Sequence, residues 1–183
     1  MTTANKFYKV LDSFGIDEAI SEGVAWYPNA WQHCLDISKD YPVTPQRVAA
    51  IMAVTSPRAR WNKNIEATYN IVADSFVPDH RRRASYGILN ANALKGMIVA
   101  NDRYYSRHVT GPKVSNFYLN IVGHTDPITT DSLMSKAAGY GSDVSTRIRS
   151  EVEQGVRTLA DVFSLSPRDM QAAIWVAYRG SAI

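Results

Sequence analysis

The sequence predicts an all-α protein. Apolar residues recur at helical spacing through most of the chain. Thr-Pro, Gly-Pro and Ser-Pro pairs stand where helices would start. Sustained apolar–polar alternation and Asn-Gly hairpin turns do not occur. With 183 residues and 45% hydrophobic content, the chain can bury a proper core. About eight to ten short helices are expected, in one compact domain over residues 1–183 with two lobes.

Residues 4–13 and 16–23 read as short helices, with Phe7, Val10 and Leu11 on one face. Trp26, Tyr27 and Pro28 mark a turn, and Pro28 then opens a helix to residue 39 with Trp31, Cys34 and Leu35 inward. Aromatics grouped as Trp26, Tyr27 and Trp31 suit helix packing, or stacking on a base. Thr44 caps the next helix, Pro45 takes its first position, and Val48, Ala49, Ile51, Met52 and Val54 make it almost wholly apolar. A helix apolar all round belongs at the centre of a fold. It stops at Ser56-Pro57. A polar turn follows, with Arg58, Arg60, Trp61, Asn62, Lys63 and Asn64, before a helix over 65–76. Arginine and asparagine side chains suit phosphate and base-edge contacts.

His80-Arg81-Arg82-Arg83 is a basic run between helices, either solvated or an electrostatic aid to a polyanion. A helix over 89–101 follows, with Leu94, Met97 and Ile98 apolar. Beyond residue 131, Leu133, Met134 and Ala137 continue a helix as far as Gly139-Tyr140-Gly141. Residues 144–156 form another amphipathic helix. The last helix runs over 166–178, opened by the capping pattern Ser166-Pro167-Arg168-Asp169, with Met170, Ala173, Ile174 and Ala177 inward.

A net charge of +3 and a pI near 9.0 permit a polyanionic partner without demanding one. The single Cys34 excludes an internal disulfide and any cluster or zinc site that needs several cysteines. His33, His80, His108 and His124 are scattered, so no metal and no cofactor are expected. With neither a leader pattern nor an apolar run of membrane-spanning length, a cytoplasmic monomer is expected, with no membrane partner.

Residues 109–134 concentrate the chemistry. Gly111 can supply a turn conformation closed to other residues, and Pro112 suits a first helical position. Lys113 then falls in the first turn, where the helix dipole opposes a cation and favours a nucleophilic amine. Thr129 and Thr130 read as N-caps of the next helix. Asp131 lies just inside it, where the dipole favours a carboxylate. Taken singly, such a lysine is commonly solvated and such an aspartate a simple cap. Together, a nucleophilic amine and a charged carboxylate suit nucleophilic catalysis.

Gly111-Pro112-Lys113-Val114 followed by Ile128-Thr129-Thr130-Asp131 resembles the helix-hairpin-helix and catalytic loop of the HhH-GPD DNA glycosylases, the superfamily of endonuclease III and oxoguanine glycosylase. The matching runs extend upstream through A-V-T-S-P-R-A-R-W-N-K-N-I-E-A-T and L-N-A-N-A-L-K-G, and cover residues 44–138. Outside them, Trp26-Tyr27 and S-P-R-D-M-Q-A-A-I-W resemble phage and actinobacterial proteins that share the whole pattern. The resemblance implies a two-lobed all-α fold with double-stranded DNA across a cleft, the hairpin on a phosphate, and the damaged or modified base flipped into a pocket. It implies that Lys113 attacks the sugar C1′ and holds the sugar as a Schiff base. Asp131 would stabilise the oxocarbenium-like transition state. It also implies DNA contacts from Arg58, Arg60, Asn62, Lys63, Thr110, Gly111 and Ser115, with Arg58 reaching in beside the flipped nucleotide. The chain departs from the pattern in two places. Val109-Thr110-Gly111 lacks the first glycine of the usual Gly-x-Gly, and Arg58 stands where a polar amide is common.

The expected activity is therefore that of a DNA glycosylase, with or without lyase action. Two alternatives keep the same fold: an enzyme that remodels hypermodified bases in phage DNA, and a non-catalytic module that uses the hairpin as a phosphate clamp.

Overall fold

The computed structural model describes residues 1–76 and 85–180, and among these every regular element is a helix, with no strand. The helices are α1 (Thr3–Phe14), α2 (Ile16–Asp40), α3 (Pro45–Thr55), α4 (Trp61–Phe76), α5 (Asn90–Asn101), α6 (Pro112–Ile121), α7 (Ser132–Ala137), α8 (Thr146–Phe163) and α9 (Pro167–Arg179), with a 3-10 turn at Tyr105–His108. Their starts follow local chemistry. Thr2, Thr44 and Ser166 accept amide hydrogens of Asn5, Arg47 and Asp169 as N-caps, and Pro45, Pro112 and Pro167 take first-turn positions that need no amide hydrogen.

The described residues divide into two compact units, one from residues 1–29 and 123–180, the other from 30–76 and 85–122. In the first, α1, α7, α8 and α9 pack around Phe7, Leu11, Met134, Val152, Val156, Met170 and Ile174. Gly23 lets the first part of α2 lie directly on α9: a Cβ there would come 2.4 Å from the Ala173 backbone nitrogen. In the second unit α3 is the centre. Every residue from Val48 to Thr55 is buried, and α4, α5 and α6 pack around it. Gly96 allows the close approach of α5, since a Cβ there would meet Ile71 Cδ1 and Thr55 Cγ2 at 2.9 Å.

Several elements differ from the sequence reading. Instead of a turn at 26–28, α2 runs unbroken through Pro28. An internal proline costs about 3 kcal/mol of helix. Packing of Tyr27 (2% exposed) and of Gly23 against Ala173 holds the helix together across it. Helix α4 starts at Trp61 rather than residue 65, which takes Asn62, Lys63 and Asn64 out of the turn. On α5 the inner face is Ala93, Gly96, Val99 and Ala100, while Leu94 and Ile98 are exposed. Small residues win there because α5 sits too close to α3 and α4 for large ones. Helix α8 starts at Thr146 and extends to Phe163. The basic run His80–Arg83 lies outside the described residues. Cys34 is fully buried, and burial pushes its thiol up to about 12, so it is a packing group and not a nucleophile.

Candidate functional site

The α3–α4 turn is built from a buried polar lock. The Thr55 hydroxyl lies 2.7 Å from Asn64 Oδ1, and Asn64 Nδ2 donates to the Met52 carbonyl at 3.0 Å. The turn is tightened by the Ala59 amide donating to the Ser56 carbonyl at 3.1 Å, and tied to α5 by Asn92 Nδ2 donating to the Pro57 carbonyl at 2.6 Å. Arg58, at its tip, has φ +60, a left-handed conformation that costs a non-glycine residue about 1–2 kcal/mol. Strain of this kind concentrates at functional loops. Arg58 and Arg60 are exposed and form no ion pair with a described residue. Lys63, by contrast, is matched by Glu66 at 2.7 Å, and Asn62 Oδ1 accepts the Lys63 amide at 2.8 Å. Of the six residues expected in this turn, Arg58 and Arg60 remain there, and Trp61, Asn62, Lys63 and Asn64 occupy the start of α4.

The hairpin follows α5. Asp102 Oδ1 accepts the Tyr104 amide at 2.8 Å, while Oδ2 accepts from Arg107 Nη2 at 2.6 Å and lies 2.6 Å from His108 Nε2. The His108 contact, then the Tyr104 amide and Arg107, hold the Asp102 carboxyl down at about 2. Next, Gly111 takes φ +87 with open space around its α-carbon, so conformation and not room requires glycine. Thr110 Oγ1 lies 3.4 Å from Lys95 Nζ, and Ser115 Oγ donates back to the Val109 carbonyl at 3.1 Å. Lys113 falls in the first turn of α6, half-buried, its amine without a partner among the described residues. Its amide and that of Val114 are among the helix's first donors, which no intrahelical carbonyl can satisfy.

Phe117, one turn beyond Lys113 on the same face of α6, is buried. Trp61 packs edge-on against it at 6.4 Å, and His33 against Trp61 at 6.3 Å. The second unit therefore brings Lys113 onto the same helix face that carries this line of rings. Tyr118 is held otherwise: burial and then the adjoining Tyr105 hydroxyl push its phenol up to about 12.

Asp131 belongs to the first unit. It is itself the N-cap of α7 rather than a residue inside the helix, so the cap falls later than expected, with Thr129 and Thr130 buried instead of capping. Oδ1 accepts both the Leu133 amide at 2.9 Å and the Met134 amide at 3.0 Å, so Oδ2 accepts no hydrogen bond from a described residue. A carboxylate of fixed orientation thus keeps one oxygen for other work.

Around Asp131 lies a polar group that the sequence reading did not assemble. The Tyr27 hydroxyl donates to Gln171 Oε1 at 2.9 Å and also hydrogen-bonds Thr129. Burial, with the Asp131 and Asp169 carboxylates adding, raises the Tyr27 phenol well above its ordinary range, against the opposing effects of Thr129 and Arg168. The Arg168 guanidinium lies 5.6 Å from the Tyr27 ring centre and 2.8 Å from Asp169. Trp26 packs edge-on against Tyr27 at 4.8 Å and Trp175 at 5.7 Å, as a helix-packing aromatic does. Tyr27 and Gln171 stand 144 positions apart, and no local signal links them.

Among the described residues no group of three or more His, Cys, Asp or Glu could hold a metal ion, and no helix is long and apolar enough to cross a membrane. No curated protein and no solved structure matches the chain significantly. A family model does match, over residues 5–182. The chain belongs to that family, DUF7178, described as a family of unknown function.

Proposed function

We propose that this protein is a DNA glycosylase that removes a damaged or modified base through Lys113 and Asp131. The observation that carries the reading is the local geometry at the two ends of the Gly-Pro-Lys…Asp spacing. One end holds a lysine with an unpartnered amine in the first turn of a helix entered through a positive-φ glycine. The other holds an aspartate fixed through one carboxylate oxygen with the second oxygen uncommitted. In the reaction the unprotonated Lys113 amine attacks C1′ of the flipped nucleotide. The C1′–N bond breaks with its electron pair leaving on the base, the two amine protons pass to the departing base and to the ring oxygen, and sugar-ring opening yields the Schiff base. The Asp131 carboxylate stabilises the positive charge that develops on the sugar ring. Arg58, Arg60 and the α6 amides supply phosphate contacts, and the resemblance to the HhH-GPD glycosylases supports the same assignment.

The test is release of free base from duplexes that carry a panel of modified bases. Asp131→Asn abolishes release while DNA binding persists; release that survives the substitution contradicts the reading. A second reading, a phosphate clamp without catalysis, is favoured by the charge of the unit that carries the hairpin, whose described residues include nine Lys and Arg against five Asp and Glu. A clamp binds DNA, releases nothing, and is indifferent to Asp131→Asn.

A further inference from the structure

We infer that Tyr104 is a stacking contact for an unstacked base of opened or single-stranded DNA; the inference rests on the DNA-binding half of the reading above and not on its chemistry. Tyr8, Tyr69, Tyr104 and Tyr178 are the exposed aromatic side chains among the described residues, and Tyr104, at 62%, is the most open of them. A single exposed ring needs no explanation by itself. This one differs in its surroundings and in its mount. Tyr8 stacks on Phe163 and Tyr69 packs edge-on against Tyr41, while Tyr178 belongs to the first, acidic unit. Tyr104 instead has the Arg103 guanidinium 5.7 Å from its ring centre.

The backbone under the ring is fixed on both sides. Asp102 Oδ1 accepts the Tyr104 amide at 2.8 Å, and the Tyr104 carbonyl accepts the Arg107 amide at 3.1 Å. The Ser106 carbonyl then accepts the Val109 amide at 3.1 Å, and Ser115 Oγ, on α6, donates to the Val109 carbonyl. Beside it, Tyr105 lies under the Arg47 guanidinium, 4.8 Å from its ring centre, and Arg47 Nη1 donates to the Ala100 carbonyl at 3.1 Å. The loop between α5 and α6 is therefore tied to α3, α5 and α6 within one unit. A ring on such a mount loses little freedom when it binds.

The charge around the ring selects the occupant. From Lys95 to Lys113 the chain carries Lys95, Arg103, Arg107 and Lys113 against one acid, Asp102. That acid is spent within the loop, on Arg107 and His108, and its side chain is only 16% exposed. Arg103 forms no ion pair with a described residue. An open ring beside an unpaired guanidinium matches a nucleic-acid strand, which offers base faces and phosphates in alternation. Within an intact duplex the neighbours cover both faces of a base, so only an opened or single strand can offer one.

The test measures binding of the full chain to a short labelled oligothymidylate and to a fully paired duplex of similar length, by fluorescence anisotropy. Tyr104→Ala is expected to weaken oligothymidylate binding about tenfold, the scale of one lost base stack, with duplex affinity and the melting temperature unchanged. Tyr104→Trp should keep the wild-type affinity, because it keeps a stacking face. The salt slope separates stacking from phosphate contact: Tyr104→Ala should leave it unaltered, and Arg103→Ala should lower it by about 0.7. Wild-type affinity in Tyr104→Ala, a loss in Tyr104→Trp as large as in Tyr104→Ala, or a lowered salt slope in Tyr104→Ala would each overturn the inference. So would a wild-type protein that does not bind the oligothymidylate. Base release, assayed separately, decides the glycosylase reading: stacking without release sinks that reading and leaves the inference standing, and release with Tyr104→Ala binding as wild type does the reverse.

Discussion

The two units are built on opposite plans. The second, residues 30–76 and 85–122, surrounds one helix, α3, buried from Val48 to Thr55, and its described residues carry nine basic against five acidic side chains. The first, residues 1–29 with 123–180, packs amphipathic helices around a shared apolar core that adjoins the buried Tyr27–Gln171 bond, and carries eight basic against eleven acidic side chains. A total of +3 conceals this division. The unit with excess positive charge owns the strained Arg58 turn, the Gly111 hairpin and Lys113. The acidic unit owns Asp131. On the proposed reading the contrast separates two jobs, phosphate contact in one unit and carboxylate placement in the other, and it can be tested by perturbing each unit alone.

The largest effect is expected at Asp131. Asp131→Asn should reduce base release by about a hundredfold or more, the usual scale for losing an electrostatic stabiliser of the transition state. Asparagine caps helices about as well as aspartate, so stability should change by less than about 0.5 kcal/mol. Thermal melts alongside the release assay check both halves. Second comes a steric contrast between glycines. Gly23→Ala forces a Cβ into the Ala173 backbone and should cost about 3 kcal/mol, seen as a lower urea midpoint. Gly111→Ala meets no neighbour but must hold φ +87, and should cost only about 1–2 kcal/mol while weakening DNA binding.

Third is the salt dependence of DNA binding. Arg58→Ala and Arg60→Ala should each lower the slope of log K against log salt by about 1. Arg147→Ala, in the acidic unit and 80% exposed, should leave the slope unchanged. Equal effects from both units would erase the division of labour. The smallest effect concerns the loop before the hairpin. Asp102 titrates near 2 when folded and near 3.8 when unfolded, so its contribution is complete above about pH 4 and fades as pH falls toward 2. The Tyr104 amide shift, followed by NMR through that window, reads the loss, and Asp102→Asn should flatten it.

Much of the fold was legible because helix starts are local chemistry. Thr44-Pro45, Gly111-Pro112 and Ser166-Pro167 each announced a helix that begins where expected. The apolar run of α3 announced its burial for the same reason. Pro28 misled because its local penalty is offset by packing of Gly23 and Tyr27, which no window of sequence displays. On α5, hydrophobicity pointed to Leu94 and Ile98, but closeness to α3 selected Ala93 and Gly96 instead. At the candidate site, Lys113 and Gly111 stood out through turn chemistry. Thr129 read as a cap and is instead a buried partner of Tyr27, a bond across 102 positions that only the folded chain displays.

The most direct test of the central claim is trapping. The protein is mixed with short duplexes that carry a panel of damaged and hypermodified bases, borohydride is added, and the products are mapped by mass. The account predicts a covalent sugar adduct on Lys113, absent from Lys113→Gln, with free base in solution. A panel that yields neither an adduct nor free base would contradict it.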